Sequence, residues 1–187
     1  TPLEQAECSF AFQPVIDPFA KEVVSYEALL RTNSGESPAV YFDGLSREEI
    51  YWTDLHSKRI AFAMAGLLHL RGRTLSINLL PMTLVNVPNA VEFLLAEIEA
   101  SGLIPEQIIV EFTESEAISR LDEFTDSVRK LKSAGIRVAI DHFGAGFAGL
   151  LLLAQFQPDR IKINRQLVKD IHKHGPKQAI VQAIIKC

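Results

Sequence analysis

Apolar and polar positions along the chain change period several times, and each change marks an element. Phe10 to Ile16 alternates weakly and runs through Pro14 into Asp17-Pro18, which predicts a strand entering a turn; Glu22 to Leu30 predicts a second strand, and the two can form a hairpin. Thr32 to Pro38 is rich in Ser, Gly and Asn and reads as a loop. Ser46 with Glu49 three positions on has capping-box spacing and opens a helical stretch toward Leu70, closed by Arg71-Gly72-Arg73. From there strand and helix alternate. Strands are expected at Leu75 to Asn78, Ile108 to Phe112, Arg137 to Asp141 and Arg160 to Ile163, with helices over about Asn89 to Ala100 and Ser119 to Ala134. Asn89 with Glu92 and Ser119 with Asp122 repeat the capping-box spacing, and Gly102 and Gly135 follow the helices as C-terminal caps. Strands joined through helices take right-handed crossovers and give a parallel sheet with covered faces. The fold class is therefore α/β, with about six strands against the eight strands and roughly 250 residues of a closed barrel.

Composition narrows the functional classes. The chain has 187 residues, 48% hydrophobic and 22% charged, enough for one domain with a sizeable core. Nineteen Lys and Arg against 23 Asp and Glu give a net charge of −4, so no overall basic field favours nucleic acid or an anionic membrane. A phosphate-bearing ligand would need local positive charge or a metal. Cys8 and Cys187 lie at opposite ends without metal-ligand spacing, and a reducing cytoplasm is the plain reading. No apolar run approaches the roughly 20 residues of a membrane span; the longest, around Ile60 to Leu68, reads as a buried helix. The first residue is Thr1 and the helix ending at Lys186-Cys187 has no stop signal, so neighbouring segments are expected.

The chemistry sits at the strand ends. Val138-Ala139-Ile140 is a buried strand that stops at Asp141 and His142 and passes into a glycine loop. Glu27, Asn78, Glu111 and Lys162 stand at the ends of other strands. In α/β folds such ends converge on one face, and the glycines beyond them allow close approach of a ligand. Singly, each of these residues reads as a helix cap or a surface charge. Together, three carboxylates and an amide suit one hard divalent ion such as Mg²⁺ or Mn²⁺, and the lysine can orient a water or a phosphate oxygen. Metal-assisted phosphoester hydrolysis is the reaction class this set suits. His172 and His174 lie in a polar stretch that reads as solvated loop, and Trp52 and Tyr51 fit an ordinary amphipathic helix face.

These blocks carry a resemblance. Glu27-Ala28-Leu29-Leu30-Arg31 resembles the signature of the EAL domain family, the phosphodiesterases of bacterial cyclic di-GMP signalling. Phe12-Gln13-Pro14, Asn78-Leu79-Leu80-Pro81, Glu111-Phe112-Thr113-Glu114-Ser115, Asp141-His142-Phe143-Gly144-Ala145-Gly146-Phe147 and Ile161-Lys162-Ile163-Asn164 resemble the family's further blocks, in order, from Phe12 to Asn164. The resemblance implies a TIM-type barrel with an antiparallel first strand, incomplete at the C-terminus over residues 1–187 because the last two β/α units have no counterpart. It implies cyclic di-GMP across the strand-end face, a homodimer, and a sensor domain or a protein partner for the longer polypeptide.

By the same resemblance Glu27, Asn78, Glu111 and Asp141 would ligate a first Mg²⁺ or Mn²⁺, and Asp141 would reach toward a second. Lys162 would hold the attacking water, and Gln13 and Arg31 would meet the dinucleotide. Glu114 would steady the loop from Phe143 to Gly149, which in the family links dimer contacts to the active site. Three departures stand out. His142 replaces the family's second aspartate and loses roughly one negative charge; it is a ligand for a softer metal, a partner that orients Asp141, or a packing residue. The family's later metal-binding glutamate falls in the absent units. Asn164 replaces an aspartate, with a looser setting for the lysine expected. The reading that follows is an EAL-type regulatory module with an impaired site, the alternative being an active cyclic di-GMP phosphodiesterase.

Overall fold

The computed structural model describes residues 8–70, 72–113, 120–146 and 149–186. The pair β1 (Cys8–Asp17) and β2 (Glu22–Thr32) forms the expected antiparallel hairpin, in register from Cys8 opposite Thr32 and slipping by a bulge after Val15. A short α1 (Pro38–Tyr41) precedes the long α2 (Arg47–Leu67). Then β3 (Thr74–Asn78), a single turn α3 (Thr83–Asn86), α4 (Ala90–Ala100), β4 (Ile108–Thr113), α5 (Leu121–Ser133) and β5 (Arg137–Phe143) follow. The described chain ends with α6 (Gly149–Phe156), β6 (Arg160–Ile163), α7 (Arg165–Val168) and α8 (Gly175–Lys186).

The six strands form one sheet in sequence order, with β2 to β6 parallel. Among the described residues β1 and β6 are its two edges. This is the barrel-like α/β architecture expected, antiparallel first strand included. Residues 108–110 and 138–140 have essentially no accessible surface, as parallel strands covered on both faces require. Helices α2, α4, α5 and α6 supply the outer layer through Phe62, Leu94, Ile98, Phe124, Val128 and Leu152. Phe124 on α5 meets Phe112 of β4 and Phe156 of α6 edge-to-face, with ring centroids 5.0 and 5.9 Å apart, and so stitches two helices to the sheet.

The helix ends test the expected punctuation. At Ser46 both halves of the capping box form: the Glu49 amide donates to Ser46 Oγ at 3.3 Å, and the Ser46 amide donates to Glu49 Oε2 at 2.8 Å. The same spacing fails at Asn89. That residue adopts left-handed backbone (φ 56°) and makes no side-chain cap, because asparagine tolerates the left-handed region well enough to serve as a turn instead. Ser119 lies outside the described residues; α5 starts after Arg120, which makes no side-chain cap. Gly102 and Gly135 terminate α4 and α5 as expected, at φ of 70° and 95°, where the amides of Leu103 and Ile136 reach back to Ile98 and Leu131. The stretch 171–173 is a 3-10 turn rather than irregular loop, and His172 and His174 are exposed.

Candidate metal centre

Strand register brings the polar ends together. Asn78 pairs directly with Glu111 across β3 and β4, and Thr113 pairs with Asp141 across β4 and β5; Glu27, expected at a strand end, lies within β2, which runs on to Thr32 beside β1, and sits opposite Ser76, two residues before Asn78. One carboxylate oxygen from each of Glu27, Glu111 and Asp141 lies within 4.8 Å of the other two. At that spacing two unscreened carboxylates repel by about 3 kcal/mol at an effective dielectric of about 20, so the rim requires a cation.

Lys162 on the edge strand β6 supplies one. Its ammonium donates to Glu27 Oε2 and to Glu111 Oε2, both at 2.7 Å, and stands 3.8 Å from Asp141 Oδ1. Burial works against the charge on Lys162, but the charges and hydrogen bonds of Glu111 and Glu27 outweigh it and push the ammonium above the ordinary lysine range. Burial pushes the Glu111 carboxyl up, with Lys162 pulling the other way. Asn78 Nδ2 donates to Glu27 Oε1 at 3.0 Å, which leaves its amide oxygen as the remaining acceptor.

The donor set fits a hard divalent ion. Around octahedral Mg²⁺, at metal–oxygen distances of about 2.1 Å, adjacent oxygens stand about 3 Å apart and opposite ones about 4.2 Å, so the three carboxylate oxygens, all within 4.8 Å of one another, would draw inward to share one ion.

Asp141 is engaged differently. The His142 amide donates to its Oδ1 at 2.7 Å, and His142 Nδ1 lies 3.1 Å from its Oδ2. This geometry depends on a bulge in which β5 pairs with β6 up to Ile140 and resumes at Phe143, with His142 in left-handed backbone at φ 56°. The bulge breaks strand alternation and sets the ring beside the Asp141 carboxylate, with 60% of the side chain exposed. His142 is therefore a partner of Asp141, and the packing alternative is excluded by its exposure. Neither that bulge nor the positive φ of a histidine has a signal in the sequence.

The other expected positions are more scattered. Gln13 is exposed on β1, opposite Glu27 in the hairpin register. Arg31 is half-buried at the end of β2, where its Nη1 donates to the Leu30 carbonyl at 2.7 Å. Glu114 lies outside the described residues. Asn164 caps α7, its Oδ1 accepting from the Gln166 amide at 2.7 Å, a bond that the family's aspartate could accept as well. Beside the centre lies a cavity of about 180 Å³ with Asn78 and Glu111 on one wall, Phe10, Leu29 and Phe42 among its apolar lining, and Asp54 and Lys58 of α2 at another. Those last two were not singled out by the strand-end argument. Their only trace in the sequence is an acid and a base four apart on an otherwise apolar helix face.

Comparison with known proteins places these features in context. The model of the EAL domain matches residues 1–187. The blue light- and temperature-regulated antirepressor BluF of Escherichia coli strain K12 is 59% identical over 178 residues, covering 95% of this chain and 44% of that protein. The structure of Klebsiella pneumoniae BlrP1 at pH 9.0 in complex with manganese and cyclic di-GMP superposes with a TM-score of 0.93 at 45% identity, covering all of this chain and 48% of that one. A standalone EAL protein of Vibrio cholerae O395 in its cyclic di-GMP-bound form gives 0.83 at 31% identity, covering 97% of this chain and 76% of that one. The chain thus spans less than half the length of BluF and BlrP1.

Proposed function

The chain belongs to the EAL domain family, and from that premise we propose that it is a regulatory module of cyclic di-GMP signalling, binding the dinucleotide at the strand-end rim while hydrolysing it poorly. The observation that carries this reading is the capture of both Asp141 oxygens by His142, at 2.7 and 3.1 Å. A two-metal centre needs a second anion at that place, and an imidazole brings neither the charge nor the hardness that Mg²⁺ or Mn²⁺ favours. Manganese and cyclic di-GMP in BlrP1 support the ligand class. The antirepressor BluF supports a regulatory output through a protein partner.

Glu27, Asn78, Glu111 and Asp141 would hold one Mg²⁺ or Mn²⁺. Bound there, a divalent ion supplies charge screening and polarises a phosphoryl oxygen. Lys162 stays an ammonium, so it orients rather than abstracts: two of its hydrogens go to Glu27 and Glu111, and the third is available to a phosphate oxygen or a water. Gln13 and Arg31 would meet the dinucleotide from β1 and β2. The cavity beside Asn78 and Glu111 offers apolar walls of a size suited to part of a planar base. Leu150 and Leu151, exposed at the start of α6 just beyond the glycine loop, support pairing of two copies there.

The test is incubation of the full-length protein with cyclic di-GMP and Mn²⁺ or Mg²⁺. Binding with little linear product is expected; linearisation at the rate of active relatives overturns the proposal. A second reading, a working phosphodiesterase, is favoured by the first-metal set Glu27, Asn78, Glu111 and Asp141 together with Lys162. It fails if Glu27→Ala leaves whatever hydrolysis is present unchanged.

A further inference from the structure

Asp54 lies on α2, far in sequence from every strand-end residue, and is 4% exposed. Its carboxylate is fully committed. Oδ1 accepts from Lys58 Nζ at 2.6 Å, and Oδ2 accepts from the Leu80 amide and from Thr83 Oγ1, both at 2.9 Å. Lys58 is 3% exposed and donates also to Ser57 Oγ at 3.1 Å; Thr83 has no accessible surface. Such a network is costly to bury: breaking a buried ion pair by removing one partner typically costs about 3–5 kcal/mol, whereas replacing both by apolar residues is often neutral.

The two Oδ2 bonds fall on the turn that follows β3, immediately after Asn78. The next amide, that of Leu79, donates to the Glu111 carbonyl at 3.0 Å. The turn is thus fixed on one side to β4 and on the other to α2, and Asn78, at its first position, aims its side chain at Glu27. Without the Asp54 anchor, the buried Thr83 hydroxyl and the part-buried Leu80 amide would lose their acceptor, and the turn would relax.

We propose that Asp54, paired with Lys58, is a positioning residue for the metal centre: it fixes the turn 79–83 and through it the direction of the Asn78 amide. This rests on the reading of the rim as a cation site. Outer partners of metal ligands typically matter by about 10–100-fold in affinity.

The experiment compares Mn²⁺ binding by isothermal titration, and the Asn78 side-chain amide resonances of the metal-free protein, in wild type and variants. In the double variant D54L/K58M both charges are removed together, so no lone buried charge is left while the anchor is lost. Expected are an Mn²⁺ dissociation constant about tenfold weaker and a shifted or broadened Asn78 amide. Thr83→Val removes one of the two bonds without touching the ion pair and carries the test should the double variant not fold; Thr83→Ser restores the hydroxyl and should return both readouts to wild type. Unchanged affinity together with unchanged Asn78 resonances in a folded D54L/K58M or T83V overturns the proposal. If wild type binds no Mn²⁺, the cation reading of the rim fails, and the Asn78 resonances alone decide whether Asp54 positions that amide.

Discussion

Lys162 and His142 divide the rim between them. The lysine neutralises Glu27 and Glu111 from one side, and the histidine occupies Asp141 from the other. Replacing His142 by aspartate restores a hard anion beside Asp141 and should tighten Mn²⁺ binding roughly tenfold, equivalent to about 1.4 kcal/mol, as read by isothermal titration; no gain would contradict the account. Glu111 makes a second prediction. Its raised pKa means that the folded protein holds the proton more tightly than the unfolded chain, so its ionisation lowers folding stability as pH rises above 4.5 through the folded value. Glu111→Gln should remove that downward slope from urea midpoints measured in EDTA, and should also abolish Mn²⁺ binding. Asn78, Glu111 and Asp141 were legible in the sequence because apolar runs give way to them near strand ends, whereas Glu27 and Lys162 interrupt apolar runs inside β2 and β6. Their pairing was not, since Lys162 meets Glu27 across 135 positions and only the folded sheet sets that contact.

At the level of elements, punctuation by small polar residues was informative where backbone and side chain agreed. Ser46 and Glu49 form their box, and Ser46→Ala should cost about 1 kcal/mol in chemical denaturation. Glu49 is held below its ordinary carboxylate range by hydrogen bonds from the Ser46 side chain and amide, so its contribution is present above pH 4.5 and is lost as pH falls through the lower folded value. The stability difference between wild type and Glu49→Gln should accordingly shrink on acidification. Asn89 has the same spacing and fails, because left-handed backbone turns its side chain away from the cap position. Spacing alone does not encode that choice. The packing of α2 on α4 was likewise hidden: a Cβ at Gly66 would run into the Ser101 carbonyl oxygen, so Gly66→Ala should destabilise by about 1–3 kcal/mol although it adds one methyl group. At Phe124, where α5, β4 and α6 meet, substitution by alanine should cost about 3–5 kcal/mol.

For the whole molecule, order of elements was the most legible property. Alternating strands and helices leave few topologies, and the sheet runs in sequence order with one antiparallel strand at its start. The net charge of −4 has a local counterpart in three carboxylates and one lysine on a single rim, an acidic face whose repulsion toward a cyclic dinucleotide a divalent cation would reduce. No helix among the described residues is long and apolar enough to cross a membrane. The number of cations per chain separates a regulatory from a hydrolytic centre most directly, because in the proposed scheme Asp141 would serve both metal positions and here it is held by His142. Electron paramagnetic resonance of Mn²⁺ titrated into the full-length protein with cyclic di-GMP should show one isolated, uncoupled ion per chain; a spin-coupled pair, or no bound manganese at all, would contradict the account.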